Sequence, residues 1–212
     1  MKTVLITGAG SGVGKALKDV FSKNGWETIA LRHQNVEITD QKSIENVVTK
    51  YHEKPIDVLI NCVGVYDGPA DGDPTLTTIE GFTHVFQVNT IGPKIFADLF
   101  VPNLLLGKEK LVVTISSIMS TLAKLDEYAA QHWSYGASKM AVNYAMLSFN
   151  KVHPEIKSVL IHPGWVKTKL GGKDALIEPE ESANGIYKLI TNHQSDLPNG
   201  KLIDYEGKII GL

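Results

Sequence analysis

The chain has 212 residues, 43% of them hydrophobic and 21% charged, which is the make-up of a folded domain able to bury a sizeable core. A net charge of -2, with lysines and arginines spread along the chain, leaves no basic tract for phosphates, so no nucleic-acid partner is expected. Cys62 is the only cysteine, which excludes an internal disulfide and a thiolate metal cluster.

No secretory leader is read at the N-terminus, because Val4-Leu5-Ile6 meets Gly8 almost at once. The most apolar stretch, Phe96 to Leu106, contains Asp98 and Pro102 and is too short to span a bilayer. The expectation is a cytoplasmic protein with no membrane partner.

Short β-branched runs alternate with amphipathic ones, which predicts βαβ units around a parallel sheet. Val4 to Thr7 is the first predicted strand. A glycine-rich turn and a helix from about Val13 to Lys23 follow, closed by Asn24-Gly25. Glu27 to Leu31 is the second strand. Val36-Glu37-Ile38 reads as a third, only four residues later, and four residues cannot hold a helical crossover. Either the helix between the second and third strands is missing, replaced by a tight link, or the third strand is vestigial. Thr39 is then the expected N-cap of a helix over roughly Gln41 to Tyr51.

Asp57 to Asn61 is the next strand, and Gly64 to Thr78 a loop. Ile79 to about Leu106 is a long helical stretch that Pro93 and Pro102 should bend or interrupt. Leu111 to Ile115 is a central strand, Trp133 to about Lys151 a helix, and Ser158 to Ile161 a strand. A loop through Glu178, a helix from Pro179 to about Ile190 and a last strand from Lys201 to Asp204 complete the chain. No repeat or linker divides it, so residues 1–212 are read as one Rossmann-type, doubly wound dinucleotide-binding and catalytic domain.

Thr7-Gly8-Ala9-Gly10-Ser11-Gly12-Val13-Gly14 sits between the first strand and the first helix. Glycines allow a tight turn and a close approach, and the helix N-terminus offers free N–H groups to a pyrophosphate. A flexible glycine-rich connector is the bland alternative. The acidic residue expected to hold an adenosine ribose is replaced by Arg32, which suits a 2′-phosphate and favours NADP(H), with NAD(H) the alternative.

Tyr135 and Lys139 lie one turn apart on one helical face. An ammonium beside a phenol favours phenolate, so the tyrosine could exchange a proton with a substrate oxygen. Ser116-Ser117 ends the central strand, on the side where such sheets bind ligands. His132 and Trp133 either line the substrate mouth or pack the loop. None of the seven histidines has metal-ligand spacing, and no metal is expected.

Together these residues resemble the short-chain dehydrogenase/reductase family. The turn Thr7 to Gly14 is similar to its cofactor motif, Tyr135 to Lys139 to its Tyr-x-x-x-Lys motif, and Val112 to Ser117 to the strand delivering its serine. Asn89 matches its asparagine, and His162 to Thr168 resembles the loop around the nicotinamide. Trp165 to Thr168 and Ile203 to Gly207 resemble a smaller branch, close to the C-factor and sniffer-type carbonyl reductases.

The resemblance implies hydride transfer between NADP(H) and a small carbonyl or alcohol. Tyr135 would be the acid/base, Lys139 its tuning group and a ribose ligand, Ser117 the holder of the substrate oxygen, and Asn89 the anchor of a relay water. The cofactor would meet Gly8, Ser11, Gly12, Val13 and Gly14 at the turn, with Arg32, Glu37 and Ile38 at the adenosine. It would also meet Asn61, Cys62, Val63 and Gly64 after the next strand, and Pro163, Gly164, Val166 and Thr168 at the carboxamide. A homodimer or homotetramer built on the helices 79–106 and 133–151 is implied as well. Ala137, Ala141 and Ala145 form a stripe suited to that interface or to packing on the sheet.

The sequence departs from the family at the short link after the second strand and at Cys62-Val63 in place of asparagine and alanine. Thr114 also stands for an asparagine, and 18 positions separate Ser117 from Tyr135, which makes Thr121 to Gln131 an inserted loop. Two other readings stay open: a dinucleotide-binding regulator without catalysis, and a nucleotide-sugar epimerase/dehydratase relative.

Overall fold

Val4-Leu5-Ile6, Val58-Leu59-Ile60 and Leu111-Val112-Val113 are fully buried along their length, so each must lie in a strand covered on both faces. The computed structural model describes residues 1–66, 78–124, 132–192 and 197–211. Its strands are β1 (Thr3–Ile6), β2 (Glu27–Ala30), β3 (Val58–Asn61), β4 (Leu111–Ile115), β5 (Lys157–His162) and β6 (Leu202–Asp204). They form one sheet in the order β2-β1-β3-β4-β5-β6, every pair parallel.

Alternate strand residues divide the core in two. Leu5, Leu59, Val112 and Leu160 face Ile44 and Val47 of α2 (Gln41–Lys50), Phe96 of α4 (Gly92–Leu99), Leu104 of α5 (Val101–Leu106) and Met146 of α6 (Trp133–Val152). Val4, Ile6, Ile60 and Ile161 face Leu17 and Phe21 of α1 (Gly12–Lys23) and Ile186 and Ile190 of α7 (Pro179–Asn192). The chain leaves β1 toward β2 on one side and returns to β3 on the other, so a ligand crevice opens at the carboxyl ends of β1 and β3.

The structure corrects the expected missing helix. Helix α2 lies between β2 and β3 as an ordinary crossover, and Val36-Glu37-Ile38 is no strand. Asn35 and Val36 both donate their N–H to the Arg32 carbonyl, and Asp40 donates to that of Glu37, so the backbone is spent on local turns. Val36 and Ile38 are nevertheless buried, because a turning segment can also drop alternate side chains into a core. The helix cap falls one residue late: Asp40, not Thr39, accepts from the Lys42 N–H.

The long stretch from Ile79 breaks as its prolines require. Helix α3 (Ile79–Phe86) passes into a single π-turn over Gln87–Ile91, then α4 and α5 follow with Pro93 and Pro102 in their opening turns. Pro93 has no N–H for the Asn89 carbonyl and would clash with it in a regular turn. The chain widens there instead, and Gly92 donates to the Gln87 carbonyl. No helix among the described residues is long and apolar enough to cross a membrane.

Candidate active site

The glycine turn is dictated by close packing. Gly8 has φ +70, and a Cβ there would lie 2.8 Å from the Cys62 carbonyl oxygen. A Cβ on Gly14 would fall 2.3 Å from the Gly8 oxygen, and one on Gly12, at φ +50, 2.9 Å from Cγ2 of Thr168. Ser11 is the N-cap of α1 without a side-chain cap bond, and the first turn holds no acidic residue. Val13 packs partly buried against the core. The helix therefore presents unshielded N–H groups and its positive end to the crevice, and the cradle fits a pyrophosphate that side chains would fill.

Arg32 leaves β2 exposed, and its stem lies alongside Gly10, whose Cβ would be 3.7 Å from Cγ. Among the described residues no carboxylate pairs with it. Glu37 is turned onto its own loop: Oε1 accepts from the Thr39 N–H and hydroxyl at 3.1 and 2.7 Å, and Oε2 faces His33 at 3.3 Å. Those bonds hold its carboxyl below the usual range. Ile38 is buried, with its carbonyl 2.6 Å from where a Cβ on Gly92 would sit.

Asn61, at the end of β3, donates to the Pro93 carbonyl at 3.2 Å while its Oδ1 has no partner among the described residues. Cys62 follows it, and burial pushes its thiol up to about 12. Val63 packs partly buried against the core. Gly64 is exposed; a Cβ there would sit 3.6 Å from Nζ of Lys139 and 3.8 Å from Oδ1 of Asn89. The strand exit thus meets Lys139 and Asn89 directly.

Helix α6 brings Tyr135 and Lys139 to the same place, both buried. The Lys139 ammonium donates to the Ile115 carbonyl at 2.8 Å and lies 5.6 Å from the Tyr135 ring centroid. Desolvation lowers its pKa to about 8. Burial raises the Tyr135 phenol far above its ordinary value, and a hydrogen bond with the Ser117 hydroxyl pulls the other way. The lowering influence on the phenol, expected of Lys139, comes here from the Ser117 hydroxyl, while the Lys139 ammonium is bonded to the Ile115 carbonyl.

Asn89 sits in the π-turn, fully buried. Its Oδ1 accepts from the Val65 N–H and its Nδ2 donates to the Val65 carbonyl, both at 2.9 Å, and also to Oγ of Ser138 at 3.0 Å. The amide stitches the exit of β3 to α6, while its backbone carbonyl is the one that Pro93 cannot reach.

The two adjacent serines separate by geometry. Ser116 donates to Oδ1 of Asn143 at 2.6 Å and belongs to the core, whereas Ser117 faces Tyr135 and accepts from the Met119 N–H. Tyr66 went unnoticed in the sequence. Its ring meets Tyr135 edge-to-face at 4.5 Å and stacks on His132 at 4.3 Å, while Trp133 packs on Phe82 of α3. The one available signal was its position just beyond Gly64.

After β5, Pro163 accepts from the Ser182 hydroxyl at 2.6 Å. Gly164 turns at φ +87, where a Cβ would strike Ile177 at 2.6 Å. Val166 is buried and bridges Ile177. Thr168 accepts from the Gly171 N–H at 3.0 Å and rests against Gly12, which places this loop beside the glycine turn. Of the expected inserted loop, Thr121 to Lys124 includes a short 3-10 turn, and residues 125–131 lie outside the described residues.

Comparison with known proteins agrees with this geometry. A family model described as short chain dehydrogenase matches residues 32–176. The chain is 33% identical to C-signal of Myxococcus xanthus over 156 residues, 72% of this chain and 90% of that protein. A short-chain dehydrogenase/reductase of Burkholderia multivorans with bound NADP superposes with TM-score 0.85 at 24% identity, covering 100% of this chain and 99% of that one. A carbonyl reductase of Pseudomonas aeruginosa PAO1 in complex with NADP superposes with TM-score 0.79 at 26% identity, covering both chains fully (100% each).

Proposed function

The chain belongs to the short-chain dehydrogenase/reductase family of NAD(P)-dependent oxidoreductases, and we propose that it uses NADP(H) to interconvert a small carbonyl compound and its alcohol. The observation carrying this is the convergence of Tyr135, Ser117 and Lys139 at the carboxyl edge of β4, beside the glycine cradle. The nicotinamide, when bound, supplies or accepts the hydride.

The chain's own residues handle the proton. Burial keeps Tyr135 protonated, so in reduction the phenol gives its proton to the substrate oxygen, and in oxidation the phenolate takes it back. Ser117 holds that same oxygen, and its hydroxyl stabilises the charge that develops there. Lys139 would hold the nicotinamide ribose, and Asn89 would anchor the water through which the proton is replenished.

Gly8, Ser11, Gly12, Val13 and Gly14 would hold the pyrophosphate. Glu37, Ile38, Asn61, Cys62, Val63 and Gly64 would border the adenosine, and Pro163, Gly164, Val166 and Thr168 the carboxamide. Arg32, exposed and unpaired among the described residues, would take the 2′-phosphate, in keeping with the NADP of the Burkholderia and Pseudomonas structures.

The whole chain, 1–212, acts in this reading as one cytoplasmic catalytic unit. A homodimer or homotetramer is supported by the outer face of α6. Ala137, Ala141 and Ala145 lie there partly exposed beside Met140 and Tyr144, so the stripe points away from the sheet.

The test is NADPH consumption against a panel of aliphatic and aromatic aldehydes and ketones, with NADH in parallel. Turnover faster with NADPH supports the proposal. Saturable NADPH binding with no turnover across the panel would favour a cofactor-binding regulator.

A further inference from the structure

Beneath the reacting groups lies a second, fully buried polar cluster. Ser116 Oγ donates to Oδ1 of Asn143 at 2.6 Å, Asn143 Nδ2 donates to Oγ of Ser120 at 2.8 Å, and Ser120 Oγ donates to the Ser117 carbonyl at 2.5 Å. Ser116, Ser120 and Asn143 are at most 2% exposed. Both ends of the Asn143 amide are therefore used inside the protein, and a buried amide left without partners is costly.

The register is systematic. Tyr135, Lys139 and Asn143 follow one another at one-turn intervals on α6, and each meets one of three consecutive residues where β4 ends. Tyr135 faces the Ser117 hydroxyl, Lys139 bonds the Ile115 carbonyl, and Asn143 bonds Ser116 and, through Ser120, the Ser117 carbonyl. The two elements also touch by backbone: a Cβ on Gly136 would lie 2.9 Å from the Met119 carbonyl oxygen. Ser117 caps the short turn that follows β4: its hydroxyl takes the Met119 N–H besides the phenol, and its carbonyl takes the Ser120 N–H at 3.0 Å together with the Ser120 hydroxyl.

We propose that Asn143 is a positioning residue, which through Ser120 holds Ser117 at the separation from Tyr135 that proton transfer requires. It acts without contacting substrate or cofactor. The inference rests on the proposed function, which supplies the reaction whose rate is read.

The experiment compares wild type with Asn143→Ala, Ser120→Ala and the double variant, by steady-state kinetics with NADPH and by fluorine NMR of fluorotyrosine-labelled protein. The Tyr135 resonance is assigned from Tyr135→Phe. A displacement of ~1 Å at reacting groups is worth about 100-fold in rate, so kcat should fall at least about tenfold in each single variant. The double variant should be no worse than the worse single, because the two side chains act in one chain of bonds. The NADPH dissociation constant should stay unchanged, and the Tyr135 resonance should shift while that of exposed Tyr144 does not.

Unchanged kcat in the soluble variants, or an unmoved Tyr135 resonance, would overturn the proposal. Ser120→Ala, which removes a single hydroxyl, carries the test if Asn143→Ala fails to fold. If wild type turns over no carbonyl, the proposed function fails, and the fluorine spectra still decide whether Asn143 positions Ser117 against Tyr135.

Discussion

Two strand ends face the same crevice and are built in opposite ways. The exit of β2, from Arg32 to Asp40, lies largely at the surface and is held by its own turns and by Glu37 folded onto Thr39. The exit of β4, from Ser116 to Ser120, is mostly buried and tied by side chains to a helix from a distant part of the chain. A charged ligand is recognised adequately by one exposed guanidinium that can adapt. Proton transfer demands fixed distances, and fixed distances need buried, fully partnered polar groups.

The largest expected effects fall at the β4 exit. Tyr135→Phe should lower kcat by about 1,000-fold while NADPH affinity, read by nicotinamide fluorescence, stays near wild type. Ser117→Ala should cost about 100-fold in kcat, and Ser116→Ala distinctly less, since its hydroxyl bonds Asn143 and not the phenol. Equal losses for the two serines would erase the distinction drawn between them. At the β2 exit, Arg32→Ala should weaken NADPH by about tenfold, the worth of one charge-assisted contact, and leave NADH unchanged. If both cofactors weaken alike, Arg32 is not reading the 2′-phosphate.

Titration sharpens the contrast further. Lys139 is charged below about 8 and neutral above it, so kcat/KM should fall as pH rises through 8. Stability moves the other way. Between about 8 and the ordinary 10.5 the unfolded chain holds a proton that the folded one has released, so this contribution rises with pH in that window.

His162 provides a smaller, acid-side effect. Burial lowers its pKa from 6.5 to about 4, so the unfolded chain binds the extra proton between those values, and stability should fall as pH drops from 6.5 to 4. His162→Gln should flatten that part of a melting-temperature profile, and an unchanged slope would assign it to other groups.

The glycine turn was legible because three of its four glycines, Gly8, Gly12 and Gly14, are boxed in and leave no room for a side chain. Tyr135 and Lys139 were legible by their spacing only in company with the glycine turn and Ser116-Ser117. The exit of β2 reads as a strand because buried Val36 and Ile38 around Glu37 carry a two-residue period, while the Val36 N–H bonds the Arg32 carbonyl and the Glu37 N–H the Ser43 hydroxyl. Periodicity reports which side chains are buried, not where the backbone hydrogen bonds go. Asn143 and Tyr66 were invisible for a different reason: their partners lie 27 and 69 positions away, and no local pattern encodes such contacts.

The most direct test of the central claim is isotopic. NADPH deuterated at the transferable nicotinamide position should deliver its deuterium to the carbinol carbon of the alcohol product, with the hydroxyl proton coming from solvent. Product formed without deuterium at that carbon, while the cofactor is unchanged, would contradict hydride transfer at this site.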